Sequence, residues 1–71
     1  VMDSSHTIQL NGAALTIDPG ETIASLLQKL ALDPRQVAVE RNREIVPRAH
    51  YGETRLERAD AIEIVTFVGG G

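Results

Sequence analysis

The sequence contains no cysteine. That excludes disulfides, zinc–thiolate centres and any thiol nucleophile on a side chain. It fits a cytoplasmic protein. Tryptophan is also missing, and the aromatic residues are one Tyr and one Phe, too few for a platform that stacks bases. Cations are the minority, with seven Lys and Arg against ten Asp and Glu and a formal net charge of −3. Arg35, Arg48, Arg55 and Arg58 are scattered, whereas phosphate binding needs clustered cations. No apolar run is long enough to span a bilayer. No stretch has the charged start, apolar middle and small-residue cleavage site of a signal peptide. Nucleic acid and membrane are therefore not expected partners.

Other chemistries are poorly served as well. His6 and His50 have no acidic or cysteine partner at a metal-ligand spacing. His6 reads as an ordinary strand residue and His50 as a loop residue, so no metal is expected. Ser4, Ser5 and Ser25 lie outside any nucleophile-elbow motif. No phosphate-cradling glycine loop precedes a helix, so the chain is not expected to bind a nucleotide itself. The alternating charges of "ERNRE", Glu40 to Glu44, read as a solvated hairpin tip.

What is present suits one small folded domain. The chain has 71 residues, 42% hydrophobic and 24% charged, and we read residues 1–71 as a single domain. Val1 before Met2 suggests a remnant of cloning and is left out of the fold reasoning. A domain of this size has room for one core but hardly for an enclosed cleft. "HTIQL", residues 6–10, alternates in the period-two pattern of a half-buried strand. Asn11-Gly12 is a strong hairpin signal. The turn it specifies sets Leu10 opposite Ala13, Ile8 opposite Leu15 and His6 opposite Ile17.

Pro19-Gly20 ends the second strand, and Thr22 is a candidate helix N-cap. Ile23, Leu26, Leu27 and Leu30 then form one apolar stripe, predicting a helix over 23–31. Asp33-Pro34 blocks further helix. "VAVER" predicts a third strand, with Val37 and Val39 on one face. Asn42-Arg43 is a turn into a short fourth strand, "EIV", which Pro47 limits. Leu56 is the one apolar anchor in the irregular stretch from Arg48 to Asp60. "AIEIVTFV" is a last strand rich in β-branched residues. A single striped helix must cover one face of a mixed sheet. The expected fold is α+β of the β-grasp kind, four to five strands with one main helix on one face.

If Ile62 and Ile64 point to the core, Glu63, Val65 and Phe67 share the opposite face. Two arrangements are open. One is an exposed contact patch; the other is a strand covered on both sides, with Phe67 turned inward. The chain then ends on Gly69, Gly70 and Gly71, read as a flexible tail. Glycines add little to a core. A tail without Cβ atoms is narrow enough to thread a tunnel in another protein and present its terminal carboxylate there. Adenylation of that carboxylate with ATP would let sulfur attack it. The product, a thiocarboxylate, carries sulfur without any cysteine. The activating enzyme must then be a partner.

"VERNREIVPR" and "IEIVTFVGGG", with the order of elements, resemble the ThiS family of ubiquitin-like sulfur carriers in thiamin biosynthesis. The resemblance runs from about Ile8 to Gly71. Chains resembling MoaD, the molybdopterin-synthase small subunit, tend to carry prolines before the terminal glycines, and none is present here. "RADAIEIV" departs from the family, which often has an Asp-Gly-Asp turn there; Ala59-Asp60-Ala61 keeps the Asp but loses the glycine. The resemblance implies a carrier rather than an enzyme. Gly71 is the residue that a ThiF-like adenylating enzyme would activate and a persulfide donor would sulfurate. A ThiG-like thiazole synthase would take the sulfur. Gly69 and Gly70 give the slender approach, and Val65, Phe67 and Val68 dock the base of the tail. Two further readings remain beside it: a carrier for molybdopterin or another thiolated product, and a β-grasp interaction module with an incidental tail.

Overall fold

The computed structural model describes residues 5–67. In chain order it has β1 His6–Leu10, β2 Ala13–Ile17, α1 Ile23–Lys29, β3 Val37–Arg41, β4 Glu44–Val46 and β5 Ala61–Thr66. Two single 3-10 turns, Pro34–Gln36 and Arg48–His50, lie in the connections. The strands form one sheet in the order β2-β1-β5-β3-β4. β1 and β5 are parallel and the other neighbours antiparallel. One helix covers one face of this mixed sheet, the β-grasp arrangement expected above.

The first hairpin has the register read from its turn, with Leu10 opposite Ala13, Ile8 opposite Leu15 and His6 opposite Ile17. Asn11 and Gly12 both have positive φ, 49° and 85°, which matches the turn to the right-handed twist of its strands. Asn42 and Arg43 repeat that geometry at 53° and 71° between β3 and β4. No glycine stands there, so this turn carries backbone strain.

Helix α1 starts where the caps put it. The Thr22 hydroxyl accepts from Ser25 N–H at 3.1 Å, and Ser25 Oγ accepts from Thr22 N–H at 2.8 Å, a reciprocal capping box. The next free donors are met by a distant loop: Ile23 N–H reaches Thr54 O and Ala24 N–H reaches Tyr51 O. Ile23, Leu26 and Leu27 are buried against Ile8, Val39, Leu56, Ile62 and Ile64. Leu56, an isolated apolar residue in the sequence, is 1% exposed.

The helix ends earlier than its periodicity predicted. Leu30, expected in the buried stripe, is the C-cap and is 38% exposed. Ala31 N–H bonds Gln28 O and Leu32 N–H bonds Leu27 O, a Schellman closure with Ala31 at φ 58°. Leu32 takes up the packing against the core that Leu30 leaves. Leu15, opposite Ile8, packs against the core but is only half-buried.

Two carboxylates are buried with partners. Glu21 accepts from Lys29 Nζ at 2.8 Å and from Ser25 Oγ at 2.7 Å, which ties the helix to the loop before it. The Lys29 hydrogen bond holds the Glu21 carboxyl below its usual value, against the opposing cost of burial. Asp60 accepts from Arg41 Nε at 2.8 Å, Asn42 Nδ2 at 3.0 Å and Glu57 N–H at 2.8 Å. Burial alone would raise its pKa; the Glu57 N–H, the Asn42 amide and the Arg41 guanidinium outweigh it and lower it. Asp60 therefore pins the β3–β4 turn to the entry of β5. The neighbouring Ala59 sits at φ 66°, in the left-handed region that favours glycine.

Leu27→Ala should cost about 2–5 kcal/mol in a denaturant titration, since Leu27 is fully buried. Ala59→Gly should raise stability by about 0.5–1 kcal/mol by removing the left-handed strain; a fall in the midpoint would contradict the turn geometry. The stability from Glu21 and Asp60 should be complete above about pH 5 and lost as pH falls through their lowered folded values. Midpoints measured from pH 6 to 2 should thus fall steeply for the native chain and less steeply for Asp60→Asn.

Candidate functional site

The sheet has one face under the helix and one face bare. Alternation along β5 sends Ile62 and Ile64 into the core and Glu63 and Val65 to the bare side. Neighbouring strands add to this face in register. Ile45, Glu40 and Glu63 form one row across β4, β3 and β5, and Ala38 and Val65 form part of the next. Phe67 follows, its N–H bonded to Gln36 O at 2.8 Å. That bond continues the β3 pairing past the end of β5.

Val65 and Phe67 are 60% and 56% exposed. Of the two arrangements left open by the sequence, the structure has the exposed one. Ile45, not singled out in the sequence, is 66% exposed on the same face. Its partner Glu40 lies outward, so the register carries Ile45 outward too. Ala38, Ile45, Pro47 and Phe67 flank an open groove of about 400 Å³, with Arg35 and Arg48 also on its walls. The result is a short apolar strip running to the last described residue. A strip of this kind is a candidate contact surface.

Asn11 fixes where the strip points. Its side chain continues the parallel ladder beyond the end of β1. Oδ1 accepts from Ile64 N–H at 2.8 Å and Nδ2 donates to Ile64 O at 3.3 Å. Its own N–H bonds Ile62 O at 2.9 Å. One residue thus forms the hairpin turn and holds the middle of β5. The Asn-Gly signal gave the turn, but nothing local in the sequence indicated the second role.

The remaining candidates divide plainly. Val68, Gly69, Gly70 and Gly71 lie outside the described residues. His6 is in β1 opposite Ile17, and His50 is in a 3-10 turn, 3.9 Å from Glu53. The two histidines are not brought together in any site. Among the described residues no group of three His, Asp or Glu side chains could hold a metal, and no helix is long and apolar enough to cross a membrane.

Known proteins share this arrangement. The ThiS family model matches residues 8–71. The sulfur carrier protein ThiS of Bacillus subtilis (strain 168) is 47% identical over 66 residues, covering 90% of this chain and 98% of that protein. A thiazole synthase of Paramagnetospirillum magneticum is 44% identical over 62 residues, 87% of this chain. The chain spans only 19% of that protein's length, and 20% of a second thiazole synthase, from Magnetococcus marinus. The crystal structure of the thiamine biosynthesis protein ThiS from Geobacter metallireducens aligns with a TM-score of 0.75 at 32% identity, covering 92% of this chain and 99% of that one. With the family match running from β1 to Gly71, and a ThiS carrier nearly half identical along almost its whole length, the chain belongs to the ThiS family.

Proposed function

We infer that this protein is a sulfur carrier of thiamin biosynthesis and that Gly71 is its working group. The observation that carries the reading is the family match through Gly71, on a chain whose last described strand runs toward that end beside an exposed apolar strip. The protein acts as co-substrate, not catalyst. A ThiF-like adenylating enzyme supplies ATP; the Gly71 carboxylate attacks the α-phosphorus and pyrophosphate leaves. The terminal sulfur of a persulfide donor then attacks the acyl carbon and AMP leaves. A thiol then attacks the donor's sulfur in the resulting acyl disulfide, forming a disulfide with the donor and releasing the thiocarboxylate.

Physical limits support this division of labour. Four residues follow Phe67, and fully extended they reach at most about 14 Å. The partner's active site must therefore come close to the strip that holds Val65 and Phe67. Gly69 and Gly70 add no side-chain width in a tunnel. The thiazole synthase relatives support the second partner. In each, a stretch similar to this chain is part of a much longer protein. Joining two modules on one chain raises their effective concentration, which suits a carrier that must deliver to that enzyme. A ThiG-like thiazole synthase is the acceptor in this reading, and the cytoplasm is the compartment. The named relatives favour thiazole over molybdopterin as the destination.

Incubation with ATP, the adenylating enzyme and a persulfide donor should add the mass of one oxygen-to-sulfur exchange at Gly71. One residue added after Gly71 should abolish it, since the carboxylate moves and bulk is added. Phe67→Asp should leave the fold largely intact, because the side chain is exposed, and weaken association with the enzyme. Intact-mass and calorimetric measurements check both. Normal exchange on the extended chain, without trimming back to Gly71, would overturn the reading.

A further inference from the structure

Asn11 serves the turn and β5 at once, and the residue after it opens that double use to chemistry. In an Asn-Gly step the glycine nitrogen can attack the asparagine side-chain amide, because no Cβ crowds the approach. A larger residue at Gly12 would be strained, since its φ is 85°. A Cβ built there would meet nothing within 4 Å, so no neighbour screens the turn. The Gly12 N–H makes no main-chain hydrogen bond among the described residues. The nucleophile is therefore free. The electrophile is held: Asn11 Oδ1 accepts from Ile64 N–H at 2.8 Å and Nδ2 donates to Ile64 O at 3.3 Å. While both bonds stand, the amide is committed to β5 and is not free to swing toward Gly12.

We propose that Asn11-Gly12 is a deamidation site gated by β5, held off while the Ile64 bonds last and reacting when β5 opens. Gly12 N gives its proton to hydroxide and bonds to Asn11 Cγ. The Cγ–Nδ2 bond then breaks and ammonia leaves. Water opens the resulting succinimide at either carbonyl, giving aspartate or isoaspartate. Both products have a carboxylate where the amide was, so Ile64 O loses its donor and faces a negative charge. Isoaspartate also adds one atom to the main chain of the turn. Closing β5 again does not reverse the change, and the strand that carries Val65 is held less firmly afterwards. Asn42, the other asparagine of the chain, provides the contrast. It has the same left-handed turn geometry, and its amide is likewise engaged, by Asp60 Oδ1 and Ala61 N–H. The next residue is Arg43, whose side chain crowds the attacking nitrogen.

Incubation of the full chain in mildly alkaline buffer, followed by peptide mapping by mass, tests this. Above the unfolding midpoint Asn11 should convert at least about tenfold faster than in the folded chain. Below the midpoint its rate should climb with urea, as for any reaction that passes through an open state. Asn42 should convert far more slowly than Asn11 in the unfolded chain. Gly12→Ala should slow the reaction there too, where the strain of the folded turn has no bearing. The converted chain gains one negative charge, so ion exchange separates it from the native one. It should unfold at lower denaturant and exchange its β5 amide hydrogens faster. Equal Asn11 rates in the folded and unfolded chain would overturn the gating. Conversion of Asn42 as fast as Asn11 would overturn the site. An unchanged midpoint and unchanged exchange in the converted chain would overturn the effect on β5.

Discussion

Strand β5 must be hydrogen-bonded on both sides, and most of the structure is arranged to meet that requirement. It is the third of five strands, parallel to β1 and antiparallel to β3. A buried strand with unmet N–H and C=O groups would lose more than its apolar side chains contribute. β3 covers one side from Ile62 to Thr66. β1 is shorter and pairs only at Ala61 and Ile62. Asn11 extends that side by using a primary amide in place of a peptide group. Asp60 does the equivalent work at the other end, holding the β3–β4 turn where β5 begins. The start and the middle of the strand are therefore fixed by side-chain bonds that join residues distant in sequence.

This arrangement separates stability from function within a very small chain. The core lies wholly between the helix and one sheet face. The other face has almost no part in folding, so it is free to carry exposed Ile45, Val65 and Phe67. A domain of this size has little stability to spare. The burial of Glu21 and Asp60 is affordable only because each carboxylate has charged and neutral donors in place.

The carrier chemistry follows from the same economy of parts. A chain without cysteine can still hold sulfur if its own carboxylate becomes the attachment point. Such a chain needs no cleft, no metal and no bound nucleotide, only a terminus that another protein can enclose and a surface that brings that protein near. In the proposed reading the strip beside β5 meets the second need, because β5 is the last described strand before Gly71.

Much of this was written in local sequence. Strict alternation gave β1, β3 and β5, Asn-Gly fixed the first hairpin to the residue, and Thr22 set the helix start, because each depends on neighbours within a few positions. The terminal glycines and the quoted motifs likewise indicated the family before any coordinates. Periodicity failed where tertiary packing overrode it. Leu30 fits the helical stripe, but the helix closes at Lys29 and Leu32 takes the buried place. Ile45 was not legible as exposed, since a three-residue strand has too short a pattern to show its face. Asn11 and Asp60 gave no local sign of their distant partners, because a hydrogen bond to Ile64 or Arg41 exists only once strands far apart in sequence are brought side by side. The sequence by itself thus determined the elements, the turns and the family. Only the tertiary structure decided which carboxylates are paired, which face stays bare and how β5 is held, since those depend on contacts between distant segments that no local pattern encodes.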